Sequence, residues 1–194
     1  MFVQWYVAAP FIGIGIAAFI LGRPGPVKPF VHIGRSDRVF SNCRRLNSPY
    51  EVRPYLSNGH IETLFAAIFR KSAAVKYNRT VLTGPDGGQT AIDSPVTQEL
   101  CKETPIVLLL PGLASSSRNT YVQHLAAITA SAGFRTLVLN GRGCGSRLST
   151  PKTFSASFTG DVRQLVVQLQ VEYPQAPLFA VGWSLGANIL LRYL

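Results

Sequence analysis

Gly182-Trp183-Ser184-Leu185-Gly186 sets a serine two residues from a glycine on either side, and here the chain has the means for covalent chemistry. Leu178 to Val181 before it is an apolar run with the length of a buried strand. Ala187 to Leu194 after it has the composition of a helix. Strand, tight turn and helix in that order form a nucleophile elbow. A serine on so sharp a bend holds a strained backbone, and glycines, having no Cβ, clear the neighbouring strand and helix. The hydroxyl then stands exposed at the sheet edge, and the helix N-terminus behind it favours the negative charge of an acyl-transfer intermediate. The competing reading, a chance glycine pair beside a helix-capping serine, is weakened because both flanking elements are present.

Acyl transfer also needs two backbone N–H donors aimed at the developing oxyanion. Leu185, the residue after the serine, supplies one. Pro111-Gly112-Leu113 closes the apolar run Ile106 to Leu110, and a loop in that place supplies the other, most simply through Leu113. An ordinary strand-end turn is the alternative, because backbone donors leave little trace in a sequence. A second glycine-rich turn, Gly141-Arg142-Gly143-Cys144-Gly145, does not read as a nucleotide loop. Its third glycine falls one residue early for Gly-x-Gly-x-x-Gly, and no Gly-Lys-Ser/Thr follows. A tight strand-to-helix turn fits it better, and no cofactor is expected. Cys43, Cys101 and Cys144 have neither paired nor Cys-x-x-Cys spacing, so no disulfide framework and no metal site is indicated. His60 opens an amphipathic stretch, where capping or packing is the commoner role for a histidine than catalysis.

These groups must be positioned by one domain, which is what 194 residues with 47% hydrophobic content allow. The core begins at Ile106-Val107-Leu108-Leu109-Leu110, five apolar residues suited to a strand buried on both faces. A helix near Asn119 to Ser131 ends at Gly133, and a strand follows over Arg135 to Asn140. A helix over Asp161 to Tyr173 carries apolar Val162, Leu165, Val166 and Leu169, and Pro174 and Pro177 then lead to the elbow strand. Repeated strand and helix predict an α/β fold with a parallel sheet. Ahead of it, Val75 to Thr83 and Gln89 to Asp93 read as two strands around a hairpin turn, Gly84-Pro85-Asp86-Gly87-Gly88. Further upstream, Ile61, Leu64, Phe65 and Ile68 share one helical face.

The N-terminal stretch differs from the rest. Met1 to Gly22 holds no charged side chain, and about 21 helical residues give roughly 30 Å, the hydrocarbon thickness of a bilayer. No Lys or Arg precedes the apolar run and no good small-x-small site follows it, so an anchor over 1–22 is favoured over a cleaved signal. Three prolines between Arg23 and Lys28-Pro29 make a linker, and residues 23–53 are expected to be linker and basic wrap before a domain over 54–194. The net charge of +10 is uneven: residues 23–80 hold eleven Lys/Arg and three Asp/Glu, residues 81–194 eight and six. A basic flank beside anionic headgroups explains this asymmetry. No nucleic-acid module or basic-aromatic pattern is present, so nucleic-acid binding is not expected. Because the basic residues all follow the apolar run, the body is expected on the cytosolic side.

With these pieces in order, the chain resembles the α/β-hydrolase superfamily. More narrowly it is similar to a membrane-anchored esterase and lipase group, the plant embryogenesis-associated hydrolases and the animal α/β-hydrolase domain-containing lipases. The residues that carry the likeness are Asn58-Gly-His60-Ile-Glu-Thr-Leu64, Gly84-Pro-Asp-Gly-Gly88, Leu110-Pro-Gly-Leu113 and Tyr121-Val122 with His124. Asn140-Gly-Arg-Gly-Cys-Gly145, Ser155-Ala-Ser-Phe158 with Gly160-Asp161, and Gly182-Trp-Ser-Leu-Gly186 complete it. The resemblance implies a serine esterase of lipid or short-chain carboxylic esters, with Ser184 as nucleophile, Leu113 and Leu185 as oxyanion donors and Gly182 and Gly186 as elbow glycines. It implies the N-terminal portion of the fold, mostly parallel with an antiparallel hairpin at its start, preceded by a transmembrane helix.

One departure stands out. The family's acid and histidine follow the serine, whereas His32, His60 and His124 and every Asp of this chain precede Ser184. The expectation is therefore a truncated, inactive form lacking both, since a serine without a base is a weak nucleophile. The alternative from a different class is a non-catalytic membrane-tethered module that binds lipid or a protein partner. The sequence leaves open the ester chain length, the choice between water and an alcohol as acceptor, and the oligomeric state.

Overall fold

The computed structural model describes residues 58–71, 74–96 and 99–194, together with positions 42, 43, 48 and 56. The expected anchor over 1–22 lies outside the described residues, as does most of 23–53. Among the described residues no helix is long and apolar enough to cross a membrane. The chain divides after Arg70 into two units. The first contributes α1 (Gly59–Phe69), capped by Asn58, whose side-chain oxygen accepts from the amides of His60 at 2.9 Å and Ile61 at 3.3 Å. His60 is an N-terminal helix residue with an exposed side chain. Glu62 in the first turn pairs with Arg70 at 3.0 Å.

The second unit holds the sheet. β1 (Tyr77–Thr83) and β2 (Gln89–Pro95) pair antiparallel, from Tyr77 opposite Pro95 to Thr83 opposite Gln89. Their turn closes through Gly84 N–H to Gly88 O at 2.8 Å, with Gly87 at φ 74°, a left-handed position suited to glycine. β3 (Ile106–Leu110), α2 (Thr120–Ser131), β4 (Arg135–Leu139), α3 (Gly160–Glu172), β5 (Leu178–Gly182) and α4 (Leu185–Tyr193) follow. The strand order is β1-β2-β4-β3-β5.

β3 is the centre of this arrangement. It pairs parallel with β4 and with β5. Side chains alternate across a strand, so Val107 and Leu109 pack with Val122 and Ala126 of α2 on one face. Ile106, Leu108 and Leu110 pack with Val162, Leu165, Val166 and Leu169 of α3 on the other. That two-sided burial is why the strand reads as an unbroken apolar run. Each large aliphatic fully buried there contributes about 1.5–3 kcal/mol relative to exposure. β4 meets β2 antiparallel at Ile92–Leu139 and Asp93–Val138. The sheet is thus mixed, with two parallel and two antiparallel pairings, rather than mostly parallel. The expected hairpin joins the sheet directly through β2. At the other side β5 is an edge among the described strands, leaving Phe179 half exposed.

Candidate active site

The elbow is built from backbone contacts. Ser184 lies between β5 and α4 at φ 48°, ψ −114°, one of two non-glycine residues with positive φ among those described. Such a conformation costs about 1–3 kcal/mol and persists only where its surroundings hold it. The holding contacts are Trp183 N–H to Leu110 O at 3.1 Å, Gly186 N–H to Trp183 O at 2.8 Å and Asn188 N–H to Ser184 O at 3.0 Å. A Cβ on Gly182 would stand 2.6 Å from the Cα and N of Ala187. One on Gly186 would overlap the carbonyl oxygen of Leu110 and come within 2.5 Å of that of Pro111. Both glycines are sterically required. Ser184 itself is exposed, and its hydroxyl has no hydrogen bond within the described residues.

The loop after β3 faces this elbow. A Cβ on Gly112 would lie 3.4 Å from Ser184 Cβ and 3.4 Å from the Trp183 carbonyl oxygen. The loop bends through Ala114 at φ 54°, the other left-handed non-glycine residue, and Ser115 N–H returns to Gly112 O at 3.2 Å. The Gly112 N–H donates to the Tyr121 hydroxyl at 3.1 Å. Among the described residues, neither the Leu113 nor the Leu185 N–H has a partner. Leu113 has its side chain in solvent, and Leu185 is the first residue of α4. A narrow space of about 40 Å³ opens beside Leu185, bounded by Leu110, Gly112, Leu139, Phe154, Leu185 and Ile189.

Two ionic clusters hold the loops around the elbow, and the sequence alone did not reveal either. Arg142 is 2% exposed. Its guanidinium donates to Asp161 at 2.6 and 2.9 Å and to Asp86 at 2.7 and 3.0 Å. It therefore ties the 141–145 turn to the α3 N-terminus and to the β1–β2 turn. These bonds, Asp161 first, push its pKa above the ordinary value, and Arg142 in turn holds the Asp86 carboxyl well below the usual range. Phe158 lies under this cation and under Lys152 Nζ, with 5.1 and 4.5 Å to its ring centre.

The second cluster centres on Asp93, buried in β2. Arg79, directly across the hairpin, grips it at 2.6 and 2.7 Å. The Asn140 side-chain amide donates to it at 2.9 Å, and the Ser117 hydroxyl makes a short hydrogen bond to the same oxygen. Burial raises the Asp93 pKa, but these donors outweigh it and leave the group below its ordinary value. Asn140 Oδ1 also accepts from Ser117 N–H at 2.8 Å, and Arg79 reaches Gly145 O at 2.6 Å. The loop that carries Leu113 is thereby pinned from behind. Nearby Tyr77 has its phenol pKa pushed up to about 12, by burial first and by the Asp93 charge second.

The residues singled out in the sequence thus meet around one point: Ser184, Leu185, Gly182 and Gly186 in the elbow, Leu113 in the loop beside it. His124 lies exposed on α2 without a bond to the elbow. The 141–145 turn is a strand-to-helix connection organised by Arg142. No group of His, Cys, Asp or Glu among the described residues is arranged to hold a metal. Tyr121, Arg142, Asp93, Asn140 and Ser117 carried weaker signals: an aspartate inside a strand, and an arginine set between glycines.

A left-handed serine between a parallel strand and a helix, opposed by a loop with free amides on a mixed sheet, is the architecture of an α/β-hydrolase. Comparison with known proteins agrees. The family described as serine aminopeptidase, S33, matches residues 102–194. Embryogenesis-associated protein EMB8 of Picea glauca is 39% identical over 84% of this chain and 37% of its own. Phospholipase ABHD3 of Homo sapiens is 30% identical over 79% of this chain and 39% of its own. Among solved structures, the esterase Pf2001 of Pyrococcus furiosus superposes with a TM-score of 0.52 at 18% identity, covering 64% of this chain and 49% of that one. These matches support the N-terminal portion of an α/β-hydrolase, and the chain spans less than two fifths of the length of these two curated relatives.

Proposed function

We propose that the protein is a serine hydrolase of carboxylic esters, lipid esters among them, acting through an acyl-enzyme on Ser184. The observation that carries this is the strained, exposed Ser184 set against a loop whose Leu113 amide, with that of Leu185, has no partner among the described residues. In the reaction Ser184 Oγ attacks the ester carbonyl carbon and loses its proton to a base. The carbonyl oxygen takes the negative charge and is received by the two N–H groups. Collapse of the tetrahedral intermediate expels the alcohol, which takes up a proton, and water then releases the acid. The base must be brought alongside Ser184, since no described residue bonds its hydroxyl. The name of the human relative, a phospholipase, favours a lipid ester. The uncharged 1–22 stretch followed by basic residues favours work at a membrane.

Hydrolysis of p-nitrophenyl butyrate and of phosphatidylcholine vesicles by the protein made from its complete reading frame tests the reading. Ser184→Ala is expected to lower kcat by at least about 10⁴-fold, and an unchanged rate would refute the assignment. Deleting 1–22 is expected to move the protein from the membrane pellet to the supernatant; unchanged pelleting would overturn the anchor. The second reading, a non-catalytic tethered module, draws on the Ser184 hydroxyl having no hydrogen bond within the described residues. It gains if ester turnover is nil while vesicle binding persists.

A further inference from the structure

The turn between β3 and α2 has a limited set of amide donors, and counting them singles out one side chain. Pro111 has no N–H, the Gly112 N–H goes to the Tyr121 hydroxyl at 3.1 Å, and the Ser115 N–H goes to Gly112 O at 3.2 Å. The Leu113 and Ala114 amides are left without a partner among the described residues. Ala114 is left-handed, so this arrangement is one the chain adopts only when held. Tyr121, in the first turn of α2, is placed to hold it. Its ring meets Trp183, the neighbour of Ser184, edge-on at 5.0 Å and 66°. Its hydroxyl lies 3.6 Å from the point where a Gly112 Cβ would be, and that same point is 3.4 Å from Ser184 Cβ. One side chain thus touches both the oxyanion loop and the elbow.

Resting on the reading of Ser184 as nucleophile, we propose that Tyr121 is a positioning residue for the oxyanion hole. By accepting the Gly112 N–H it fixes the Pro111–Gly112 peptide, and so aims the next amide, that of Leu113, at the reacting carbonyl. By its edge-on contact with Trp183 it sets the distance between loop and nucleophile. Removing only the hydroxyl frees the peptide to turn while leaving the ring contact in place. The loss then falls on the transition state rather than on substrate binding, because the oxyanion exists only after attack.

The test is Tyr121→Phe in the protein from its complete reading frame, with Ser184→Ala in parallel. The expected result is a fall in kcat of about tenfold or more, with KM within about twofold. Affinity for an alkyl boronic acid, which mimics the tetrahedral adduct, should weaken in step with kcat/KM. Independently of any variant, the Gly112 amide of the wild-type protein should exchange with deuterium at least about tenfold more slowly than those of Leu113 and Ala114. Equal exchange at the three amides overturns the proposal. So does a Tyr121→Phe protein with unchanged kcat and boronate affinity, or one altered in KM alone. A Ser184→Ala protein that still turns over ester would instead remove the hydrolase reading on which this rests.

Discussion

The elbow and the ionic clusters behind it are held by opposite means. At the elbow the contacts are backbone against backbone, so their requirements are local and steric: glycine at 182 and 186, a strand before, a helix after. Behind it, Arg142 and Asp93 join segments up to 56 residues apart through charged side chains. The first region fixes where the Ser184 oxygen stands. The second fixes where the loops around it stand, and does so in a setting where a charge deprived of its partner is expensive. Among the described residues, left-handed strain outside glycine is confined to Ser184 and Ala114, and the paired charges lie behind them.

This contrast can be broken in several ways. Arg142→Ala is expected to have the largest effect on stability, about 3–5 kcal/mol, because it removes four hydrogen bonds at once, leaving the largely buried Asp161 without its cation and Asp86 with Lys152 alone. Arg142→Lys should recover little of it, since an ammonium cannot form four bonds to two carboxylates. Urea unfolding checks both, and a loss under about 1 kcal/mol for Arg142→Ala would show the cluster to be ornamental. Gly186→Ala comes next, at about 1–3 kcal/mol. Here the new methyl must push the β3 carbonyls away, so ester turnover should fall far more than stability does.

Ser184→Gly sharpens the comparison with a change of opposite sign. A left-handed position suits glycine, and relief of strain should raise stability by about 1 kcal/mol while turnover is abolished. A destabilised Ser184→Gly protein would mean that the serine side chain supports the fold. The smallest expected effect is on pH. Asp86 and Asp93 have folded pKa values below those of the unfolded chain. The unfolded state therefore binds more protons as pH drops below about 4. Their stabilisation is full above that point and is lost as pH falls through the folded values. Urea midpoints should be level from pH 7 to 5 and then decline, with Asp93→Asn flattening part of the decline.

The legibility of the two regions in sequence follows from the same difference. The elbow and its strands were readable because a glycine pair, a five-residue apolar run and a helix are neighbours along the chain. Ile106–Leu110 was placed residue for residue, and the hairpin turn at Gly84–Gly88 was found from its turn residues. The antiparallel hairpin is legible in the sequence but its seam with the parallel strands is not, because nothing in the Ile92 to Asp93 segment announces that it will pair with Leu139 and Val138. Arg142 was read as part of a glycine turn, since its two carboxylate partners lie 56 residues before it and 19 after it. In the sequence Tyr121 is only one residue of a motif; that its hydroxyl takes the Gly112 amide depends on how α2 turns back over β3. Local steric demands leave a pattern in the chain, whereas long-range polar pairing does not.

The most direct measurement is mass spectrometry of the protein from its complete reading frame after reaction with a fluorophosphonate. A single phosphonyl adduct on the peptide carrying Ser184, blocked by prior incubation with an ester substrate, is the predicted result. An ester-hydrolysing protein that takes up no adduct at Ser184, or keeps its rate once that residue is modified, would contradict the central claim.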